Sequence, residues 1–138
     1  IGTVRTLEPK MREKILTRMK EMVPKLAEAY GGEATIELQN NTAVTFNDVA
    51  LTNQMLPSLQ KVAGEDHVEL VKATTGGEDF SYFQEEVPGL YFFLGGQPLD
   101  SKEPAPHHTP DFFIDESGLL LGVKAMTQLA LDYLDPPK

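Results

Sequence analysis

The chain has 138 residues, 41% hydrophobic and 24% charged, with a net charge of −9, three His and no Cys. That length suits one or two small domains of ordinary globular composition. The charge argues against nucleic acid and anionic membrane surfaces as partners, the apolar runs at residues 90–94 and 119–121 fall far short of the ~20 residues that cross a bilayer, and the lack of Cys excludes disulfides and zinc-thiolate clusters within this segment.

Residues 3–6 read as a short strand, and Pro9 suits the first turn of a helix, where its missing N–H costs nothing. Ile15, Leu16, Met19, Met22, Val23, Leu26, Ala27 and Tyr30 then follow helical spacing, which predicts an amphipathic helix kinked at Pro24 and stopped by Gly31-Gly32. Ala34, Ile36 and Leu38 alternate with Thr35, Glu37 and Gln39, the period of a strand. Strand, helix and strand in that order make half of a ferredoxin-like unit. Asn40-Asn41 marks a turn, and residues 42–46 read as an extended connection and hinge into a second part. There Asn47 or Asp48 caps a helix whose buried stripe is Val49, Leu51, Met55, Leu59 and Val62 and whose stop is Gly64, with Pro57 arguing against a single straight rod. Residues 68–73 and 90–94 read as buried strands, with a short helix or turn over 78–85 between them. Asp115 caps a last helix, whose stripe Leu119, Val123, Met126, Ala130 and Tyr133 faces the sheet and whose Gly118 and Gly122 allow close approach to a strand. Strands alternating with helices predict an α/β fold, divided into residues 1–46 and 47–138.

In open α/β sheets, sites gather at the carboxyl ends of strands, and two loops fall there. Gly76-Gly77 followed by Glu78 and Asp79 reads equally as a turn with acids favoured by a helix N-terminus or as a segment lining a site. The second loop, residues 95–113, exceeds the ~12–15 residues beyond which structureless loops are usually functional. Pro98, Pro104, Pro106 and Pro110 stiffen it around His107 and His108. By spacing alone that pair is a solvated loop feature, because none of the three His forms the paired spacing of a zinc helix. His67 reads as solvated, and Gln84-Glu85-Glu86 as a solvated helix end. Among the aromatic residues, Phe80 and Tyr82 stand nearest the Gly-Gly turn.

Four separated motifs carry a resemblance. Gly2-Thr3-Val4-Arg5-Thr6, then Gly76-Gly77-Glu78-Asp79-Phe80-Ser81-Tyr82-Phe83, then Val87-Pro88-Gly89-Leu90-Tyr91-Phe92-Phe93-Leu94-Gly95, then His108-Thr109-Pro110 with Phe113-Ile114-Asp115-Glu116 and a helix occur in this order along the chain. They resemble the carboxyl-terminal part of the metal-dependent aminoacylase and carboxypeptidase family, nearest the branch of hippurate hydrolases, N-acyl-amino-acid deacylases and auxin-conjugate hydrolases. The resemblance implies that residues 47–138 are a portion of a dinuclear-zinc aminopeptidase-like catalytic domain and residues 1–46 the second half of a ferredoxin-like lid or dimerisation domain. It further implies a homodimeric enzyme that hydrolyses the amide bond of N-acyl amino acids or small peptide-like substrates. Two divalent ions, zinc or manganese, would polarise the carbonyl and lower the pKa of a bound water, with an upstream acid as general base.

Carried over residue by residue, the His-x-Pro word makes His108 a metal ligand and leaves His107 beside it. Gly77, Glu78, Asp79 and Phe80 become active-site lining, and Arg5 the arginine of the lid's Gly-Thr-x-Arg word. Taken alone, Arg5 reads as a strand arginine in an interface salt bridge. The family's His-x-Asp or Cys-x-His motif, its paired acids and its further ligand have no counterpart before His108. The expectation is therefore a fragment, silent by itself, whose partner is a missing amino-terminal half; a non-catalytic binding or dimerisation module of the same descent is the alternative.

Overall fold

Each helix begins where the local chemistry permits one. In the computed structural model, which describes residues 1–39, 42–98, 103 and 105–135, α1 spans Pro9–Ala29 with Pro9 in its first turn, and it continues through Pro24. The second helix, α2, spans Val49–Ala63 and is capped by Asp48, whose carboxylate accepts from the Leu51 N–H at 2.8 Å. It continues through Pro57 and ends at Gly64, whose φ of 92° is open to glycine at no steric cost. A single 3₁₀ turn follows at Glu65–His67, where His67 Nδ1 lies 2.8 Å from the Ala63 carbonyl. The short α3 spans Phe80–Glu86. Asp115 caps a 3₁₀ turn, Glu116–Gly118, that leads into α4, Leu119–Leu134.

No strand forms among the described residues, so the strands expected at 3–6, 34–38, 68–73 and 90–94 are not present as hydrogen-bonded ladders. The α/β sheet and the ferredoxin-like half-unit are accordingly not assembled among the described residues. The physical reason is that alternation specifies a face and not a neighbour, whereas a strand exists only when a second one lies about 4.8 Å away. The face itself persists. Ala34, Ile36 and Leu38 are half-buried while Thr35, Glu37 and Gln39 are exposed.

The chain divides into two compact units, residues 1–47 with 71–89 and residues 48–70 with 90–138. In the second unit α2 packs on α4, burying Met55 and Ala125. The stripe expected on α4 is turned away from this contact: Leu119, Val123, Met126 and Tyr133 are exposed, and the inward face is Leu121, Ala125, Gln128, Leu129 and Asp132. Both sets have helical spacing, because α4 is apolar on more than one side and periodicity cannot say which side meets α2. The two glycines of this region do allow close approach. A Cβ on Gly122 would lie 2.9 Å from Leu94 Cδ2, and one on Gly118 would lie 3.4 Å from the Gly95 carbonyl oxygen.

Ser58 is buried at the α2–α4 contact and hydrogen-bonds Asp132, whose Oδ1 also accepts from Gln128 Nε2 at 2.8 Å. These two hydrogen bonds, aided by the charge of Lys61, hold the Asp132 carboxyl below the usual carboxylate range. A depressed folded pKa means stability that is present above the unfolded value, about 3.9, and lost as pH falls through the folded one. Asp132→Asn should therefore lower the melting temperature at neutral pH, with the gap from the native chain closing as the pH drops below about 4; thermal scans across this range measure it. The outward face of α4 makes a second prediction. Val123 and Met126 are more than 60% exposed, and contiguous apolar surface of this kind drives association. Sedimentation velocity should show concentration-dependent self-association of the chain, reduced by the double substitution Val123→Lys, Met126→Lys.

Candidate functional site

The loop carrying the histidine pair belongs to the second unit and is closed at its base. The Asp115 N–H donates to the Gly96 carbonyl at 2.8 Å, and a Cβ on Gly96 would sit 3.1 Å from Ile114 Cγ2, so glycine is what lets the two loop ends meet. Asp115 also accepts from the Ser117 N–H at 2.9 Å, a backbone hydrogen bond that holds its carboxyl below the usual range. Within the loop, the Thr109 hydroxyl donates to the Pro106 carbonyl at 2.8 Å and the Phe112 N–H donates to the Thr109 carbonyl at 3.2 Å. These bonds tighten a turn at whose centre stands His108.

His108 has φ +63°, the left-handed region, and among the described residues it is the single non-glycine there. A side chain with a Cβ enters that region at a steric cost, so the surrounding turn must hold it. His107 is disposed differently. Its ring lies against that of Phe112, with centroids 4.6 Å apart at 41°, and 6.5 Å from the ring of His108. Both imidazoles are solvent-exposed. Among the described residues no three His, Asp or Glu side chains converge into a metal-binding group. Metal centres draw three or four protein ligands, and of these the loop offers two exposed imidazoles, His107 and His108.

The glycine-rich loop belongs to the first unit, and the structure brings Arg5 to it. Arg5 Nη1 donates to the Thr75 carbonyl at 2.9 Å, and a Cβ on Gly77 would lie 3.7 Å from the same nitrogen and 3.6 Å from Thr42 Oγ1. Arg5 thus holds a backbone carbonyl at the start of the loop. Glu78 is half-buried and Asp79 exposed. The Phe80 N–H reaches Glu78 Oε1 at 3.4 Å, and the Phe80 ring lies 6.1 Å from that of Phe83. His107 and His108 fall in one unit, and Arg5, Gly77, Glu78, Asp79 and Phe80 in the other.

Two polar residues of α3 escaped the sequence reading. Ser81 is wholly buried; its hydroxyl donates to the Glu78 carbonyl at 2.6 Å and accepts from the Ala43 N–H at 3.2 Å. Gln84, expected at a solvated helix end, is half-buried: its Oε1 accepts from the Phe46 N–H at 3.1 Å and its Nε2 donates to the Gly89 carbonyl at 3.3 Å. A serine three residues after Glu78 is the local signal, since hydroxyls bond back to carbonyls at that spacing; nothing local announces Gln84.

Comparison with known proteins places the sequence in a family. Thermostable carboxypeptidase 2 of Saccharolobus solfataricus is 30% identical over 96% of this chain and 33% of its own length. N-acetyldiaminopimelate deacetylase of Streptococcus sanguinis is 32% identical over 96% of the chain and 33% of its own length. The deacetylase of the same name from Anoxybacillus flavithermus is 35% identical over 70% of the chain and 25% of its own length. The chain thus spans about a third or less of these relatives. No solved structure matches it. Residues 3–132 match one family throughout, and the chain belongs to the peptidase family M20/M25/M40.

Proposed function

We propose that the chain is the carboxyl-terminal part of a metal-dependent amidohydrolase that cleaves the amide bond of N-acyl amino acids or small peptide-like substrates. The observation that carries this reading is the turn at His108: a closed loop holds one histidine in left-handed backbone at the position the His-x-Pro word assigns to a metal ligand. The names of the relatives, carboxypeptidase and deacetylase, share hydrolysis of an amide. In the intact enzyme His108 would contribute one donor to a centre of two divalent ions, zinc or manganese. The remaining ligands and the general base would come from an amino-terminal half outside this chain, and the isolated chain would be inactive.

On the same reading, residues 47–138 belong to an aminopeptidase-like catalytic domain. Residues 1–46 form half of a lid or dimerisation domain, with the extended segments completing an α/β sheet beside strands from that amino-terminal half. The half-buried alternation at Ala34, Ile36 and Leu38 supports this, since it keeps the two-residue period of a strand with one inward face. Gly77, Glu78, Asp79 and Phe80 would line the site, and Arg5 would act from the lid of a homodimer. No helix among the described residues is long and apolar enough to cross a membrane.

Two measurements test the assignment. In the intact enzyme His108→Ala should abolish most bound zinc and most activity against an N-acyl amino acid, whereas His107→Ala, which removes a ring packed on Phe112, should keep the larger share of both; metal analysis and steady-state rates decide, and exchanged phenotypes would move the ligand to His107. Calorimetric titration of the 138-residue chain with Zn²⁺ or Mn²⁺ should reveal no tight site, because a single donor does not close a coordination shell.

A further inference from the structure

We infer that Ser81 and Gln84 are positioning residues that latch the connecting segment, residues 42–47, to the loop at 76–79, so that the order of this loop follows the placement of the segment. The two side chains stand three residues apart on α3 and share one face of it. Ser81, wholly buried, holds one end of the loop and one end of the segment with a single oxygen, through the Glu78 carbonyl at 2.6 Å and the Ala43 N–H at 3.2 Å. Gln84 holds the other end of the segment. Its Oε1 accepts from the Phe46 N–H at 3.1 Å, while Nε2 reaches Asn47 Oδ1 at 3.4 Å and the Gly89 carbonyl at 3.3 Å.

Further contacts close the arrangement. Arg12 Nη1 donates to the Thr42 carbonyl at 2.7 Å, and Gly77 packs beside the Thr42 side chain. Arg5 pins the Thr75 carbonyl on the near side of the loop. Gly89 is buried with the Gln84 stem in the place of a side chain: a Cβ there would fall 2.6 Å from Gln84 Cγ. The amides of Ala43 and Phe46 are therefore bound by side chains of α3 where a sheet would supply carbonyls, and displacing the segment pulls directly on Ser81 and through it on Glu78.

The functional weight of the latch rests on the reading above, in which residues 1–46 move as part of a lid and the 76–79 loop lines the site. The test is site-resolved amide hydrogen exchange on the full chain, native and with Gln84→Met, Gln84→Glu or Gly89→Ala. Gln84→Met removes the acceptor at nearly constant volume and should accelerate exchange at Phe46 about tenfold. The Ser81 and Tyr82 amides, bonded to the Glu78 and Asp79 carbonyls, should accelerate with it, while Gly64 at the end of α2 stays unchanged. Gln84→Glu keeps the acceptor for the Phe46 N–H but loses the donor to the Gly89 carbonyl, and should restore part of the protection at Phe46. Gly89→Ala removes no polar group but displaces Gln84, and should reproduce Gln84→Met. Unchanged exchange at Phe46, or acceleration confined to Phe46, would overturn the latch and leave the amidohydrolase reading standing. If the coupling is found, Gln84→Met should lower kcat of the intact enzyme on an N-acyl amino acid several-fold, with partial recovery in Gln84→Glu; coupled exchange with unaltered kcat would overturn the positioning role.

Discussion

Backbone groups that no ladder pairs must find partners elsewhere, and the first compact unit is organised by that requirement. Arg5, Arg12, Ser81 and Gln84 each reach main-chain atoms 30 or more residues away. Such bonds are directional and modest one by one, near 0.5–1.5 kcal/mol each for neutral groups, so the unit is specified by their geometry more than by a core. The Ser81 hydroxyl is the extreme case, acting as donor and acceptor at once with no solvent to replace either partner. Without it a carbonyl and an amide distant in sequence lose their common anchor.

The second unit obeys a different constraint. There the α2–α4 contact supplies the buried apolar side chains, Met55 and Ala125, and one polar pair, Ser58 with Asp132, crosses it. A serine and a carboxylate at a helix contact fix the relative rotation of the two helices in a way that interchangeable methyl groups do not. This choice of rotation leaves Leu119, Val123 and Met126 facing outward.

The sequence was most informative where a signal is local. Pro9, Asp48 and Gly64 announced helix ends that the structure reproduces within a residue or two, because caps act over three or four positions, whereas Asp115 caps a 3₁₀ turn and α4 itself starts at Leu119. It was least informative where a partner has to be chosen. The alternation of residues 34–38 describes half of a pairing, and α4 carries two plausible inward faces. Of the candidate site, His108 was singled out by its neighbours Thr109 and Pro110, and the structure adds its left-handed backbone and the packing of the His107 ring on Phe112. Gln84 was not legible, and Ser81 was so only in its bond back to Glu78, since the partners at Ala43, Phe46 and Gly89 are set by tertiary structure and leave no periodic trace.

The left-handed turn at His108 separates two demands that a single position usually blends. One is chemical, for an imidazole, on the proposed reading of His108 as a metal ligand; the other is conformational, for a residue that tolerates positive φ, which glycine meets freely, asparagine and aspartate meet with little strain, and β-branched residues do not. A descendant of this chain released from any need for the imidazole would still be filtered by the turn. Its drift at position 108 would run toward Asn, Asp or Gly and away from Val, Ile or Thr. The amino acid standing there in a divergent copy therefore records which of the two demands has lapsed: a small turn former marks a loop that kept its shape after losing its chemistry, and a β-branched residue marks a loop that has refolded.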